Sequence, residues 1–342
     1  MSLTEEDDGI NCLVKLRVSA RLSFFSSESL LVFFIFFEVV IIPVFLIILL
    51  YGRQPEKVSA GYYALVYTGI FSIPFMYMVV RLEDWPDGVY MGSLSISILL
   101  GMFLVKSPLF FIHQWLPKAH VEAPTSGSIL LAGLLLKVGI FGLMKITRYL
   151  NFYLYLVSLC SVVGYRVGAC VASVSSETKV LAAYSSITHV NLVVYRLGIL
   201  SVCANSGSYL VSLRHGYIST LLFYVVGTMY HYSGTRILYY RTGLTCFSGI
   251  VSTLVGLVLL RNSGTPPGIP FWGELVLVTS IRNTMFLVLA TLFVYFMVGF
   301  YYRVFIIIHL VKTGLVVRFN LFVRVVCMLG LYARLNILVV LL

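Results

Sequence analysis

Long runs of apolar residues recur along most of this chain, and they constrain its fold more than any other feature. From Ser29 onward, windows of about 20 mainly apolar residues follow one another with only short polar breaks between them. An α-helix needs a window of that length to cross a bilayer. Because 60% of the 342 residues are hydrophobic and only 11% are charged, a soluble domain could not bury the apolar surface. The pattern predicts an all-α polytopic membrane protein.

Polar or proline-containing segments divide these runs into about ten predicted transmembrane helices. Glycine, proline and charged residues at 52–57, 83–88 and 175–179 mark three of the loops between them. The predicted spans are 29–51, 61–80, 88–106, 124–147, 150–172, 178–203, 207–232, 244–281, 284–310 and 315–341.

Three of the spans contain residues that would interrupt a helix. The interruptions are Pro108, Pro117 and Pro124 within 107–124, the proline and glycine residues of 262–274, and Arg214-His215-Gly216. Broken backbone at membrane depth is tolerated only where protein or a water-filled cavity satisfies the freed amides and carbonyls. Transporters build ion sites from such helices. Two breaks in the two halves of the chain therefore indicate a duplicated transporter unit with two broken helices.

The first 28 residues differ from the rest of the chain. They contain four consecutive acidic residues at positions 5–8, followed by a basic stretch that also carries serine. We predict that 1–28 forms a polar N-terminal segment, which is either an interfacial helix or a shortened span.

Glu38 and Lys106 are charged residues in places where a charge is expensive. Glu38 is the only charge within Leu30–Tyr51, and Pro43 would release the carbonyl of Val39 and kink the helix beside the carboxylate. Lys106 comes immediately before the first break. Ionisable groups at bilayer depth commonly mark an ion or proton path. The alternatives are a structural ion pair for Glu38 and a snorkelling lysine at a helix end for Lys106.

Further ionisable residues lie deep within apolar runs. Lys137 is central in the run 128–144, too far from either end for its ammonium to reach water easily, and His189 lies among serine, threonine and tyrosine residues that could hold water. Both are predicted to relay protons; the alternatives are a structural ion pair for Lys137 and a hydrogen-bonded core residue for His189. His215, in the Arg-His-Gly sequence, and Glu274, after the second break, complete the series.

Three arginines in apolar runs have a different interpretation. Arg166, Arg196 and Arg303 are expected to be structural, because arginine keeps its proton and cannot pass it on.

Charge and cysteine content narrow the classes of partner and cofactor. The net charge of +11 indicates contact with anionic lipid headgroups rather than with nucleic acid. The six cysteines form no CxxC pair and mostly lie in apolar runs, which favours core packing over a metal site or a disulfide. The sequence has no haem, iron–sulfur or flavin signature, so we expect any redox chemistry to take place in another chain.

One long motif resembles a known family. The stretch Leu104–Ser128, LVKSPLFFIHQWLPKAHVEAPTSGS, closely resembles the signature of the antiporter-like proton-pumping subunits of respiratory complex I, in particular the subunit 4 branch. Shorter matching segments follow in the family's order and extend the resemblance over about residues 30–280. They are Phe36–Glu38 with Ile42-Pro43, Gln54–Glu56, Gly61–Tyr63, Leu134–Gly139, Ala183–His189, His215-Gly216, and Pro266-Pro267 with Gly273–Leu275.

The resemblance implies a fold, a set of roles and a set of partners. The fold has fourteen helices with two inverted five-helix repeats, each containing a broken helix. The implied roles are an acid–lysine pair for Glu38 and Lys106, a central proton-binding lysine for Lys137, relay groups for His189 and His215, and the acid of the second broken helix for Glu274. The subunit itself carries no cofactor, whereas FMN, iron–sulfur clusters and ubiquinone belong to other subunits. The implied partners are other membrane-arm subunits, including neighbouring antiporter-like subunits, and lipids such as cardiolipin, in the mitochondrial inner membrane.

Two features depart from the family pattern. Family members have four spans before the one that carries Glu38, whereas fewer than 30 residues precede that span here, so the chain resembles an N-terminally shortened member whose first repeat is incomplete. Arg214 stands where the family usually has alanine, and its permanent charge would disfavour protonation of His215. The predicted organisation is a polar segment 1–28, the remainder of the first repeat 29–148, a second repeat 149–310 and a C-terminal transmembrane helix 311–342.

Three functions remain open from the sequence. The favoured one is a proton-translocating subunit of NADH:ubiquinone reductase, coupled to redox chemistry in other subunits. A subunit of a monovalent cation/proton antiporter shares the fold and most of the motifs. The third is a structural membrane-arm subunit that does not conduct protons.

Overall fold

The described part of the chain is helical. The computed structural model describes residues 8–52, 54–82, 93–146, 153–198, 202–241, 249–265, 272–274, 276 and 286–311. In these ranges the only β pairing is a single bridge between Glu177 and Ile237. The prediction of an all-α protein is therefore confirmed for this part of the chain.

The chain forms two compact units, Met1–Tyr153 and Leu154–Leu342. The helices of the first are α1 (Asp8–Ser26), α2 (Leu30–Val39), α3 (Ile41–Tyr51), α4 (Lys57–Leu82), α5 (Ser93–Lys106), α6 (Trp115–Glu122), α7 (Thr125–Leu130), a π-helical turn (Leu131–Leu135) and α8 (Leu136–Ile146). Those of the second are α9 (Tyr153–Val174), α10 (Thr178–Leu197), α11 (Val202–Ser233), a 3₁₀ turn (Leu238–Arg241), α12 (Gly249–Asn262) and α13 (Phe286–Val311). The predicted repeat boundaries stay predictions.

Six helical segments in the described residues are long and apolar enough to cross a membrane. They are Leu30–Tyr51, Lys57–Val80, Thr125–Ile146, Leu156–Val174, Asn205–His231 and Leu292–His309. Leu94–Lys106 is a shorter apolar helix, and the predicted span 315–341 lies outside the described residues. The multi-pass prediction is confirmed, and six of the ten predicted spans meet these criteria within the described residues; much of the predicted span 244–281 lies outside them.

Helix α10 explains part of that difference. It occupies the predicted span 178–203 but contains Lys179, His189 and Arg196, which lower its hydropathy. All but two of its residues are buried. A helix enclosed by protein can carry polar groups that a lipid-facing helix cannot, so α10 is suited to hold a buried site.

The N-terminal segment forms a helix that packs on its neighbours. Helix α1 contacts α2 and α3, and Arg17 and Phe24 on it are fully buried. The rings of Phe24 and Phe33 lie 4.4 Å apart between centroids, within an aromatic core that also includes Phe37 and Phe103. This core supports the end of α5.

The first predicted break is present between α5 and α6. Helix α5 ends at Lys106, and the chain turns through Phe111, whose φ of 81° is unusual for a residue with a side chain. The indole nitrogen of Trp115 donates to the carbonyl of Val105 at 3.0 Å, so one carbonyl released by the break is satisfied. Pro117 lies within the first turn of α6, where proline is tolerated, and does not break it.

A second discontinuity follows Glu38. Helix α2 ends at Val39, and a turn at Val40 separates it from α3. Pro43 lies in the first turn of α3, so the interruption falls at the position where proline releases the carbonyl of Val39.

The predicted interruption at Arg214-His215-Gly216 is wrong. Helix α11 runs unbroken through these residues for 32 residues. One interior glycine costs a helix only about 1 kcal/mol relative to alanine, which surrounding packing offsets easily. The polar side chains have partners from other elements, as described below.

The break in 262–274 begins where α12 ends, at Asn262. Gly264 follows with a φ of 78°, a conformation that favours glycine, and Trp272–Glu274 is helical. Pro266 and Pro267 lie outside the described residues.

Candidate functional site

Lys106 and Glu38 lie together at the end of α5. The Nζ atom of Lys106 is 3.4 Å from Oε1 of Glu38 and donates to the carbonyl of Phe37 at 2.7 Å. It also lies 3.1 Å from the centroid of the Phe37 ring, a cation–π contact. The Lys106 side chain is 2% exposed, so it does not snorkel, whereas that of Glu38 is 31% exposed. The pair thus joins a buried cation to a more accessible carboxylate.

Lys137 lies two residues after the end of the π-helical turn, Leu135. Its ammonium donates to the carbonyl of Ala132 at 2.6 Å. A π turn shifts the helical hydrogen-bonding register, and such turns are frequent at functional sites. Lys137 is only partly buried within this chain. Two residues further along α8, Gly139 allows the helix to approach the backbone of Lys106 and Ser107.

His189 is the centre of the cluster in the second unit. Its Nε2 atom lies 3.2 Å from Oδ1 of Asn262 and 3.3 Å from Nη2 of Arg303, and its Nδ1 atom lies 3.3 Å from the hydroxyl of Tyr295. All four side chains are buried. Helices α10, α12 and α13 therefore converge on one imidazole.

His215 on α11 lies beside this histidine. The two ring centroids are 5.9 Å apart, and the ring planes are tilted by 52°. His215 is 4% exposed, and its carbonyl accepts a hydrogen bond from the hydroxyl of Ser219. The two predicted relay histidines thus occupy one buried region.

Glu274, the predicted acid of the second break, is paired with Arg214. The Nη1 atom of Arg214 lies 2.5 Å from Oε1 of Glu274, and its Nη2 atom donates to the carbonyl of Asn262 at 2.9 Å. The two side chains are 2% and 8% exposed. Arg214 therefore satisfies both the carboxylate and a carbonyl at the end of α12.

Arg196 has a similar structural role on the other side of the break. Its Nη1 atom donates to the carbonyl of Gly273 at 3.0 Å, and the absence of a side chain at Gly207 leaves room for its guanidinium. Arg166, by contrast, is exposed on α9.

Several residues of the site were not predicted from the sequence as functional. No sequence pattern marks Asn262 or Tyr295 as functional, and the sequence favours a structural role for Arg303. Asn262 had one signal, since it is the first residue of the second break. Tyr295 is one of 23 tyrosines and has no distinguishing neighbour in sequence.

The described residues contain no group of three or more histidine, cysteine or acidic side chains that could hold a metal ion.

The prediction that the cysteines pack in the core is wrong for Cys12 and Cys170, which are exposed within this chain.

Comparison with known proteins identifies the family. Residues 27–299 match the family model described as "NADH:quinone oxidoreductase/Mrp antiporter, TM". The chain belongs to this family. It is 38% identical over 285 residues to NADH-ubiquinone oxidoreductase chain 4 of Ascaris suum, an alignment that covers 82% of this chain and 70% of the relative. The corresponding chain 4 of Caenorhabditis elegans is 36% identical over 284 residues, with 82% and 69% covered. The resemblance to the subunit 4 branch is confirmed.

Chains of two solved complexes share the fold of this chain. A chain of respiratory complex I from Thermus thermophilus superposes with a TM-score of 0.82 at 23% identity, covering 94% of this chain and 74% of that chain. A chain of the Mrp complex from Dietzia sp. gives a TM-score of 0.81 at 16% identity, covering 89% and 61%. The antiporter-like fold is therefore confirmed.

Proposed function

We propose that this chain is a proton-translocating membrane-arm subunit of respiratory complex I in the mitochondrial inner membrane. It moves protons through buried Glu, Lys and His side chains, and NADH oxidation and ubiquinone reduction in other subunits drive the movement. The main support is that each unit holds ionisable groups beside a broken helix, where backbone and side chains can bind water. Family membership makes complex I the first assembly to test.

In the first unit we propose that Lys137 exchanges protons while Glu38 and Lys106 respond to its charge. When Lys137 is protonated, its positive charge weakens the attraction between Lys106 and Glu38. When Lys137 loses its proton, that attraction is restored. The 3.4 Å separation supports this role, because it leaves the pair close enough to interact and loose enough to open. The carbonyl of Ala132 gives Lys137 a resting partner.

In the second unit we propose that His189 and His215 pass protons onward and that Glu274 is the last acceptor. Uptake of a proton by Glu274 would require its pair with Arg214 to open, since a protonated carboxyl no longer balances the guanidinium. In the second unit, the protonation state of Glu274 would therefore control whether the ion pair with Arg214 is closed or open.

The experiment is a measurement of protons pumped per electron in sealed vesicles that contain the intact complex. Lys137→Ala should lower the ratio and, where coupling is tight, lower turnover as well. Lys145→Ala, near the end of the same helix and only partly buried, is the matched control and should keep the ratio. An unchanged ratio for Lys137→Ala would contradict the proposal.

A monovalent cation/proton antiporter subunit is the second candidate, because the family and the fold include the Mrp complex. Purification of the native assembly separates the two. We expect the chain to co-purify with subunits that carry flavin and iron–sulfur clusters. Isolation in a complex without them, together with sodium-dependent proton exchange, would favour the antiporter.

A further inference from the structure

Two neighbours of His189 require opposite protonation states of the same ring nitrogen, Nε2. Nε2 lies 3.2 Å from the amide oxygen of Asn262 and 3.3 Å from a guanidinium nitrogen of Arg303. An amide oxygen only accepts a hydrogen bond, and a guanidinium only donates. A protonated Nε2 can therefore bond to Asn262, a bare Nε2 can accept from Arg303, and neither state satisfies both neighbours.

The other ring nitrogen has a partner that suits either state. Nδ1 lies 3.3 Å from the hydroxyl of Tyr295, which can both donate and accept. When Nε2 carries the proton, the hydroxyl donates to Nδ1. When Nδ1 carries it, the ring donates to the hydroxyl. Each neutral tautomer of His189 thus has a hydrogen-bond partner at both ring nitrogens. Tyr295 is the partner of Nδ1 in both tautomers, whereas the partner of Nε2 changes between Asn262 and Arg303.

The charges around the ring oppose the doubly protonated form. Helix α11 contributes Arg214 and His215, the break after α12 contributes Glu274, and α13 contributes Arg303 with Tyr295 and Tyr302. Among the described residues, Glu274 is the carboxylate of this cluster, and Arg214 already pairs with it. Arg303 is 3% exposed, and no carboxylate of the described residues lies within ion-pair distance of it. Its guanidinium carbon lies 4.9 Å from the centroid of the Tyr302 ring, and one of its nitrogens faces Nε2 of His189.

We propose that Arg303 and Tyr295 are positioning residues that keep His189 neutral and make it relay protons by exchange between its two tautomers. This inference rests on the proposed function and specifies how its second unit works. In one step, the Tyr295 hydroxyl gives its proton to Nδ1, where an N–H bond forms, and the phenol oxygen takes a replacement proton from a hydronium ion, which becomes water. The proton on Nε2 leaves to a water molecule, which becomes hydronium.

The partner exchange links the step to the position of Arg303. Before it, Nε2–H donates to Asn262; after it, the bare Nε2 accepts from Arg303, and the ring is again neutral. The guanidinium of Arg303 then donates a hydrogen bond to Nε2, the nitrogen that has lost its proton. A proton can return to Nε2 only if Arg303 moves away. Asn262 and Arg303 therefore act as alternate partners of one atom.

The test uses the pH profile of pumping in sealed vesicles that contain the intact complex. Arg303→Leu removes the opposing charge, so His189 should retain a second proton more readily, and loss of pumping on the acid side should begin at least one pH unit higher, a tenfold change in proton concentration. Arg303→Lys, which keeps a cation, should restore most of the profile. Arg166→Leu makes the same change on the exposed face of α9 and should leave the profile unmoved. An Arg303→Leu profile that coincides with that of Arg166→Leu would overturn the inference.

A second variant serves if Arg303→Leu does not assemble. Tyr295→Phe keeps the buried ring and removes only the hydroxyl, so it should lower pumping at least several-fold in a normally assembled complex. Full pumping by this variant would also overturn the inference. His189→Ala separates the two levels: full pumping by it rejects the proposed function itself, whereas abolished pumping together with an unmoved Arg303→Leu profile rejects only the role of Arg303.

Discussion

Breaking the buried pair between Arg214 and Glu274 should destabilise the protein strongly. The two side chains are 2% and 8% exposed and lie 2.5 Å apart. Removing one partner of a buried pair leaves an uncompensated charge and costs about 3–5 kcal/mol. Glu274→Gln should therefore reduce the folding equilibrium by roughly a hundred-fold to a few thousand-fold, since about 1.4 kcal/mol corresponds to a factor of ten.

Removing both charges should restore most of the loss. In Arg214→Met with Glu274→Gln, no charge is left unpaired, and the main remaining cost is the lost hydrogen bond to the carbonyl of Asn262, about 1–3 kcal/mol. The double variant should thus be more stable than Glu274→Gln alone, although it departs further from the native sequence.

The assay is the amount of assembled complex on native gels, together with its half-life at a raised temperature. We expect Glu274→Gln to lose most of the assembled complex and the double variant to regain it. Glu56→Gln, which neutralises an exposed carboxylate, is the control and should match the native level. Normal assembly of Glu274→Gln, or a double variant as depleted as the single one, would refute the reasoning.

Two further predictions concern packing and buried charge in the first unit. A Cβ at Gly139 would lie 2.7 Å from the backbone nitrogen of Ser107, so Gly139→Ala should cost about 1–3 kcal/mol and deplete the assembled complex. A Cβ at Gly69 would meet nothing within 4 Å, so Gly69→Ala should raise the thermal half-life slightly, because alanine favours a helix by about 1 kcal/mol relative to glycine. Equal effects of the two variants would argue against close contact between Gly139 and Ser107. The guanidinium nitrogens of Arg17 are buried without a hydrogen-bond partner among the described residues, so Arg17→Met should lengthen the thermal half-life. Arg166→Met, at an exposed position, should change it little, and a shorter half-life for Arg17→Met would show that the charge has a stabilising partner in the complex.

The helix breaks could be predicted largely from local chemistry. Pro108 directly follows the end of α5 at Lys106–Ser107, and Pro43 lies in the turn after the discontinuity at Val40. Proline acts on its own helix by removing a donor and displacing a carbonyl, so its effect is visible in the sequence. The prediction for Gly216 was wrong because glycine only lowers helix stability and does not block a hydrogen bond.

The site was harder to predict because its contacts join distant segments. Asn262, Tyr295 and Arg303 are 73, 106 and 114 residues from His189, and they meet it only through the packing of α10, α12 and α13. No local pattern marks a tyrosine that faces a buried imidazole. The π-helical turn beside Lys137 likewise has no sequence signal, since Leu131–Leu135 has the composition of an ordinary apolar helix.

The most direct test of the account is the number of protons pumped per electron by a complex that carries Lys106→Met. Lys106 is buried at the first break and faces Glu38, so loss of its charge should lower the ratio in a normally assembled complex. Lys118→Met, which changes an exposed lysine of α6, should leave the ratio at the native value. A native ratio for Lys106→Met would contradict the claim that buried ionisable groups beside the helix breaks carry protons.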